Sequence, residues 1–205
     1  MKKLLTKCWL VILISTSFLL VSCSSIKTPV NDQYRLSAYS QIKYNKHPTA
    51  HSILVNKAEA VAGYQTEQML YMNKPYELSA FSYNAWVDPP ADMLFPLFVQ
   101  SLQASGYFFA VASSPTAEST DYRLDSQLLE LHQNFLHNPS VIELKVKVVL
   151  TQVTANQVIA SAVIKEHVPC PNNTPYGGVV AANKSTELMT KAVTRFVIHH
   201  IPPAG

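Results

Sequence analysis

VIELKVKVVLTQV, at residues 141–153, is the most regular stretch of this sequence, because apolar and polar side chains alternate along it. Alternation of this kind is typical of a β-strand that buries one face and exposes the other to water. One long apolar run precedes it at 122–135 and another follows it at 158–168, and turn-forming residues separate the runs at 137–140 and 155–157. The three runs predict a three-stranded antiparallel meander.

Shorter apolar or aromatic runs upstream predict more strands. The runs at 68–72 and 76–83 flank an Asn-Lys-Pro turn, which is typical of a β-hairpin. Further strands are expected at 34–39, 52–61 and 107–111.

Two segments have the apolar spacing of amphipathic helices. The first follows Asp88, which can cap a helix whose first position is Pro89. Pro96 either kinks this helix or delays its regular part, with Asp92 as the cap. The second helix is expected at 179–200, after an irregular loop. We therefore predict an α+β fold, with a mostly antiparallel sheet and two main helices packed on one face.

The N-terminus has the features of an export signal. Three lysines form a basic region before an apolar run at 8–21, and the small residue Ser22 precedes Cys23. This ending resembles a bacterial lipobox, in which Cys23 is acylated and becomes the first residue of the mature protein. The alternatives are a plain signal peptide or a membrane anchor, but the run of about 14 residues is shorter than the roughly 18 that span a bilayer.

The domain organisation follows from that assignment. Residues 1–22 are the predicted signal peptide, 23–33 a polar lipidated tether, and 34–205 a single α+β domain. Removing the three signal lysines from 16 Lys and Arg leaves 13 basic residues against 13 acidic ones. A neutral chain without a basic cluster argues against nucleic acid as a partner and against electrostatic adhesion to lipid head groups. Membrane attachment is therefore expected from acyl chains.

The histidines and carboxylates do not form a recognisable site. The adjacent pair His199 and His200 diverges on a helix by about 100°, and neither His132 with His137 nor His167 with Cys170 completes a zinc set of about four ligands. Two aspartate pairs with a spacing of four, Asp88 with Asp92 and Asp121 with Asp125, are better explained as caps and solvated strand positions. We expect no metal, no cofactor and no catalytic residue.

Cysteine and the aromatic residues leave alternatives open. In the mature chain Cys170 has no cysteine partner besides the acylated Cys23, so it is either a partly shielded incidental thiol or one available for intermolecular pairing. The tyrosines and Trp86 could line an apolar ligand groove, although a core or subunit interface is favoured. Glycine numbers only 5 of 205 residues, and no nucleophile elbow or phosphate-binding loop is present in the sequence.

Several blocks in order resemble the ABC-type transport auxiliary lipoprotein family, the group that includes the paraquat-inducible lipoprotein. The aromatic-Trp-x-Asp-Pro-Pro block is the most specific of them. The blocks are the lipobox, YRL at 34–36, MLY at 69–71, PYEL at 75–78, YNAWVDPPADML at 83–94, LQASGYF at 102–108, YRLD at 122–125 and GVVAAN at 178–183.

The resemblance implies an accessory role and no enzymatic activity. It implies a periplasm-facing lipoprotein beside a permease, an ATPase and an MCE-type periplasmic protein that moves lipids or other apolar molecules between membranes. Only lipid attachment, including palmitate, carries over to a residue, Cys23. Ser24 rather than Asp follows it, which implies sorting to the outer membrane. A homo-oligomer, such as a ring of identical subunits, is an open expectation, and an interaction module or activator of another envelope machine, such as cell-wall synthesis, is the alternative.

Overall fold

The computed structural model describes residues 32–45, 47–115 and 119–201, which form nine strands and two α-helices. The predicted signal peptide and most of the predicted tether lie outside these residues. A short 3₁₀ turn occupies Ala62–Tyr64. The helices are α1, Pro90–Ala104, and α2, Pro175–His200. The strands are β1 Asp32–Tyr34, β2 Ser52–Val55, β3 Glu59–Ala60, β4 Gln68–Lys74, β5 Glu77–Trp86, β6 Ala110–Ser113, β7 Tyr122–Asn134, β8 Val141–Gln152 and β9 Gln157–Pro169.

The predicted meander is confirmed as β7, β8 and β9, and β7 is the central strand of the sheet. One edge of β7 pairs with β8 along its length, in antiparallel register. Its other edge pairs in turn with β2, β3 and β4, always in parallel. The predicted hairpin is also confirmed: β4 and β5 are antiparallel. β1 pairs in parallel with β5, and β6 pairs in parallel with β2.

The sheet is therefore mixed, and the prediction of a mostly antiparallel sheet was wrong. The parallel ladders join strands of two to seven residues to distant parts of the chain. Segments this short have no measurable periodicity, and their direction is set by the crossovers that deliver them to the sheet.

The alternating run of β8 supplies the centre of the core. Leu144, Val146 and Val148 are buried on the face that carries the helices, and each contributes about 1.5–3 kcal/mol on burial. The two predicted helices are present, and they contact each other where the Ser101 and Thr194 hydroxyls lie 2.8 Å apart. Small buried residues on α2 let the helix lie close to the sheet.

Both helices begin at positions that differ from the prediction. The N-cap of α1 is Pro89, so Asp88 does not cap it, and Pro96 lies inside the continuous helix. The second helix begins four residues before the expected position, because the Thr174 hydroxyl accepts a 3.0 Å hydrogen bond from the Gly177 amide. Gly178 lies within this helix, where a Cβ atom would collide with the Gln133 side chain.

Three predicted strands were misplaced. The segment 35–45, which follows β1, is irregular and is held to α2 by hydrogen bonds. The backbone amide of Ser37 donates to Asn183 Oδ1 at 2.9 Å, and the side-chain amide of Asn183 donates to the Arg35 carbonyl at 3.1 Å. The predicted strand at 52–61 is split into β2 and β3, and the one at 107–111 is shifted to β6.

Candidate functional site

The residue with a predicted function, Cys23, lies outside the described residues, and its acylation stays a prediction. Two other features of the domain have the chemistry of a site. One is a polar cluster on the sheet face away from the helices, and the other is the end of the domain at which the chain enters the fold.

A bulge in β7 creates the polar cluster. The register with β8 shifts between Leu128 and Glu130, and beyond this shift Glu130 lies opposite Lys145 and His132 opposite Glu143. These four side chains share the face that the helices leave open. Tyr64, from the 3₁₀ turn, lies over the His132 ring with the two ring centroids 6.4 Å apart. His132 is therefore buried although it faces away from the main core.

The contacts of His132 favour one tautomer. Its Nδ1 lies 3.1 Å from the Tyr64 hydroxyl, and its Nε2 lies 3.4 Å from Glu143 Oε2 without hydrogen-bond geometry. A carboxylate favours a proton on the nitrogen that faces it, so we assign the proton to Nε2 and let Tyr64 donate to Nδ1. Lys145 Nζ lies 2.5 Å from Glu130 Oε1, so these two side chains form an ion pair.

Burial sets the protonation of His132 and Tyr64. It lowers the pKa of His132, although the Glu143 and Glu130 carboxylates act in the opposite direction. Burial, with the same two negative charges, raises the pKa of Tyr64 to about 12. The imidazole is therefore neutral and the phenol is protonated near neutral pH.

Metal binding is the chemistry that this cluster most resembles. Ligand atoms of Glu130, His132 and Glu143 lie within 4.8 Å of one another. However, the Lys145 ammonium already holds the Glu130 carboxylate, and a divalent ion would have to displace it. The arrangement is better suited to stabilising the bulged strand pair, and the absence of a metal site stays a prediction.

Sequence reasoning missed this cluster, although the predicted meander contained the signal. In two antiparallel strands joined by a turn, residues at equal distances from the turn lie opposite each other. The turn at 135–140 therefore places residue 130 opposite 145, and residue 132 opposite 143. His137, considered together with His132 in the sequence, is exposed in that turn.

The aspartates that the sequence placed in pairs bind other protein groups and not each other. Asp121 accepts 2.7 Å hydrogen bonds from both the amide and the hydroxyl of Ser52, and these bonds lower its pKa. Asp125 accepts from Arg123 at 2.9 Å, and Asp92 pairs with Lys57 at 2.9 Å. These carboxylates hold strands and α1 in place. Asp125 and Asp92 line two open clefts that share Lys57 and Glu59, and in both clefts the carboxylate is already paired with a cation of the protein.

Cys170 is a buried thiol. Its side chain is 2% exposed, its amide donates to the Ser140 carbonyl at 2.8 Å, and burial raises the pKa of the thiol. A protonated, shielded thiol is a poor nucleophile, which supports the interpretation of Cys170 as an incidental residue.

Strand direction gathers four segments at one end of the domain, here called the tether end: the β4–β5 turn, the β7–β8 turn, the loop at 170–174 and the first turn of α2. β4 runs parallel to β7, so both continue toward this end, and β9 reaches it because Pro169 pairs with Val141. The pairing of Asp32 with Asn84 shows that the chain also enters β1 from this side, since β1 is parallel to β5.

The family model of the ABC-type transport auxiliary lipoprotein component matches residues 34–193. The chain belongs to this family. The matched range includes β2 through β9, α1 and most of α2, so the assignment covers nearly all of the described fold.

Solved structures similar to this auxiliary lipoprotein support its fold. Protein XCC0632 from Xanthomonas campestris, of the DUF330 family, has a TM-score of 0.73 at 18% identity, over 80% of this chain and 94% of that one. An uncharacterised protein has a TM-score of 0.64 at 11% identity, over 82% of this chain and 99% of that one. No curated protein matches the sequence.

Family membership makes this auxiliary lipoprotein a membrane-anchored protein of the cell envelope that is associated with an ABC transporter. None of the described helices combines the length and apolar character that crossing a bilayer requires.

Proposed function

We propose that this auxiliary lipoprotein serves an MCE-type ABC transport system that moves lipids or other apolar molecules between membranes. In this proposal Cys23 carries the acyl chains, palmitate among them, and holds the domain at the periplasmic face of the outer membrane. The observation that supports it most is the family match, which spans the folded domain from residue 34 to residue 193. The protein has no catalytic role in this proposal.

The polar groups of the domain are consistent with an accessory role. In the part of the chain that the structure describes, the buried His132 is covered by Tyr64 and faces a carboxylate, so a substrate would have to displace Tyr64 to reach it. The carboxylates Asp121, Asp125 and Asp92 accept bonds from neighbouring protein groups. General acid–base catalysis needs a titrating group within hydrogen-bond reach of the substrate.

Co-purification tests the proposed role. The tagged full-length protein is extracted in mild detergent from cells that also contain the MCE-type protein and its permease and ATPase. We expect the transporter components to be recovered with it. The Cys23→Ser variant is the matched control, because it should lose membrane attachment and keep the folded domain.

The control separates two ways in which the proposal can fail. A Cys23→Ser protein that fractionates with the outer membrane as the wild type does would contradict lipid anchoring at that residue. Failure of both proteins to recover an abundant MCE partner would contradict the transport role, and recovery of cell-wall synthesis proteins would favour the alternative envelope function.

A further inference from the structure

The length of the tether limits how far the domain can stand from a membrane. Nine residue steps separate Cys23 from Asp32, and nine fully extended residues span at most about 30 Å. In β5, eight steps lead from Asn84, the partner of Asp32, to Tyr76 in the β4–β5 turn. This part of β5 is bulged, because the eight steps from Ala85 to Glu77 lie opposite only six steps of β4, from Gln68 to Lys74, so it spans about 20 Å. A fully extended tether that continues the direction of β1 therefore passes the tip of this hairpin by about 10 Å.

The tether end exposes apolar and aromatic side chains. Tyr76 is fully exposed in the β4–β5 turn, and Leu136 is 48% exposed in the β7–β8 turn. Tyr176, in the first turn of α2, packs instead against Tyr34, with ring centroids 6.1 Å apart. Tyrosine combines an apolar ring with a polar hydroxyl and is enriched where protein meets the membrane–water interface.

The hairpin tip holds Tyr76 in an unusual backbone conformation. Tyr76 has a φ of +67°, a left-handed conformation that bulky residues seldom adopt. The flanking Lys74 and Glu77 form an ion pair with a distance of 3.4 Å, so the tip carries no net charge from this pair. A neutral tip with a projecting aromatic ring suits contact through apolar burial and not through attraction to anionic head groups.

We propose that the tether end is a membrane-contact surface, in which Tyr76 and Leu136 enter the interfacial region of the bilayer that holds the acyl chains of Cys23. This inference rests on the proposed lipid attachment of Cys23. The occupant is the lipid surface because the tether delivers the domain to it, and an extended tether leaves a gap of about 10 Å at the hairpin tip, which is too narrow for a folded domain.

Fluorescence quenching in vesicles tests the contact. The acylated mature protein is purified and reconstituted into vesicles of phosphatidylethanolamine and phosphatidylglycerol, with and without acyl-brominated phosphatidylcholine. In the mature chain Trp86 is the sole tryptophan and is buried, so it supplies the same background in every variant. Tyr76→Trp and Leu136→Trp place a reporter in two turns of the tether end.

Phe109→Trp is the matched control. Phe109 is an exposed aromatic residue immediately before β6. β2 pairs with both β6 and β7, and this pairing places Phe109 level with the start of β7, at the opposite end of the domain. The 13 residues of β7 separate the two ends by about 40 Å. Interfacial side chains lie about 5–10 Å into the head-group and acyl boundary, so we expect the added emission of Tyr76→Trp to fall about twofold or more with brominated lipid. The added emission of Phe109→Trp should not change.

Each outcome bears on a different part of the reasoning. Equal quenching at both ends, or quenching at neither end in protein that floats with the vesicles, overturns the contact and leaves the anchor intact. A blue-shifted but unquenched Tyr76→Trp signal means that protein, such as a second copy, covers the tip, which also overturns the contact. Wild-type protein that neither floats nor carries acyl mass at Cys23 overturns the proposed anchoring itself.

Discussion

Acidification should destabilise this domain through His132. Burial lowers the pKa of the imidazole in the folded protein below its ordinary value of 6.5. As the pH falls through 6.5, the unfolded chain therefore binds a proton that the folded chain does not. Stability from this residue is fully present above about pH 6.5 and is lost below it, down to the folded pKa.

The size of the effect has an upper limit. A group that is protonated in the unfolded chain and stays neutral in the folded one costs at most about 1.4 kcal/mol at one pH unit below the unfolded pKa. For a domain of this size, that corresponds to about 3–6 °C in Tm between pH values of about 7.5 and 5.5. Glu143 and Glu130, which face the ring, reduce the effect because they favour the protonated form, and Lys145 adds to it.

The assay is denaturant unfolding followed by circular dichroism at several pH values, for the wild type and for His132→Gln. Glutamine can still accept a hydrogen bond from Tyr64 but does not titrate. Both proteins keep the other six histidines, so the difference between their pH slopes isolates His132. The reasoning is refuted if the two proteins lose stability in parallel below about pH 6.5, whatever their difference at neutral pH.

Three further predictions concern single side chains. Asn183→Ala should release the segment that Asn183 holds, so that the Ser37 amide exchanges hydrogen faster by mass spectrometry, with the global Tm little changed. Leu144→Ala should cost about 2–5 kcal/mol in denaturant unfolding, whereas Val163→Ala, at a position 48% exposed, should cost much less; similar losses would contradict the assigned core face. Cys170 should resist alkylation in the folded protein and react on unfolding, and rapid labelling of the native protein would show that the thiol is accessible.

The parts of the fold that sequence predicted are those with long, regular patterns. The alternation at 141–153 fixed the buried face of β8, and the turns on either side fixed its two neighbours. The spacing of apolar residues also located both helices, although the caps were misjudged. Local pattern is informative here because a 12- or 13-residue strand repeats its signal several times.

The parts of the fold that were not predicted depend on contacts between distant segments. β3 has two residues, and no local pattern predicts that it joins β7 in parallel. The early start of α2 depends on the Thr174 cap and on the space that Gly178 leaves for Gln133, neither of which a count of apolar residues detects. Glu130 and His132 lie on the turn side of a bulge, so counting along β7 from Leu124 and Leu128 assigns them to the wrong face of the sheet, and only the pairing with β8 shows the right one.

The way the N-terminal segment is attached links the membrane to the far end of the domain. β1 is bonded to β5, and the chain beyond it is held by Asn183 and by Thr190, whose hydroxyl accepts from the Ser40 amide at 2.9 Å. Both residues belong to α2, whose 26 residues extend about 39 Å away from the tether end. Because a pull on the tether is shared between the sheet edge and this long helix, it acts on the whole domain and not on one frayed strand. On the orientation we infer, a transporter component that meets the opposite end, near Phe109, does so about 40 Å from the bilayer surface.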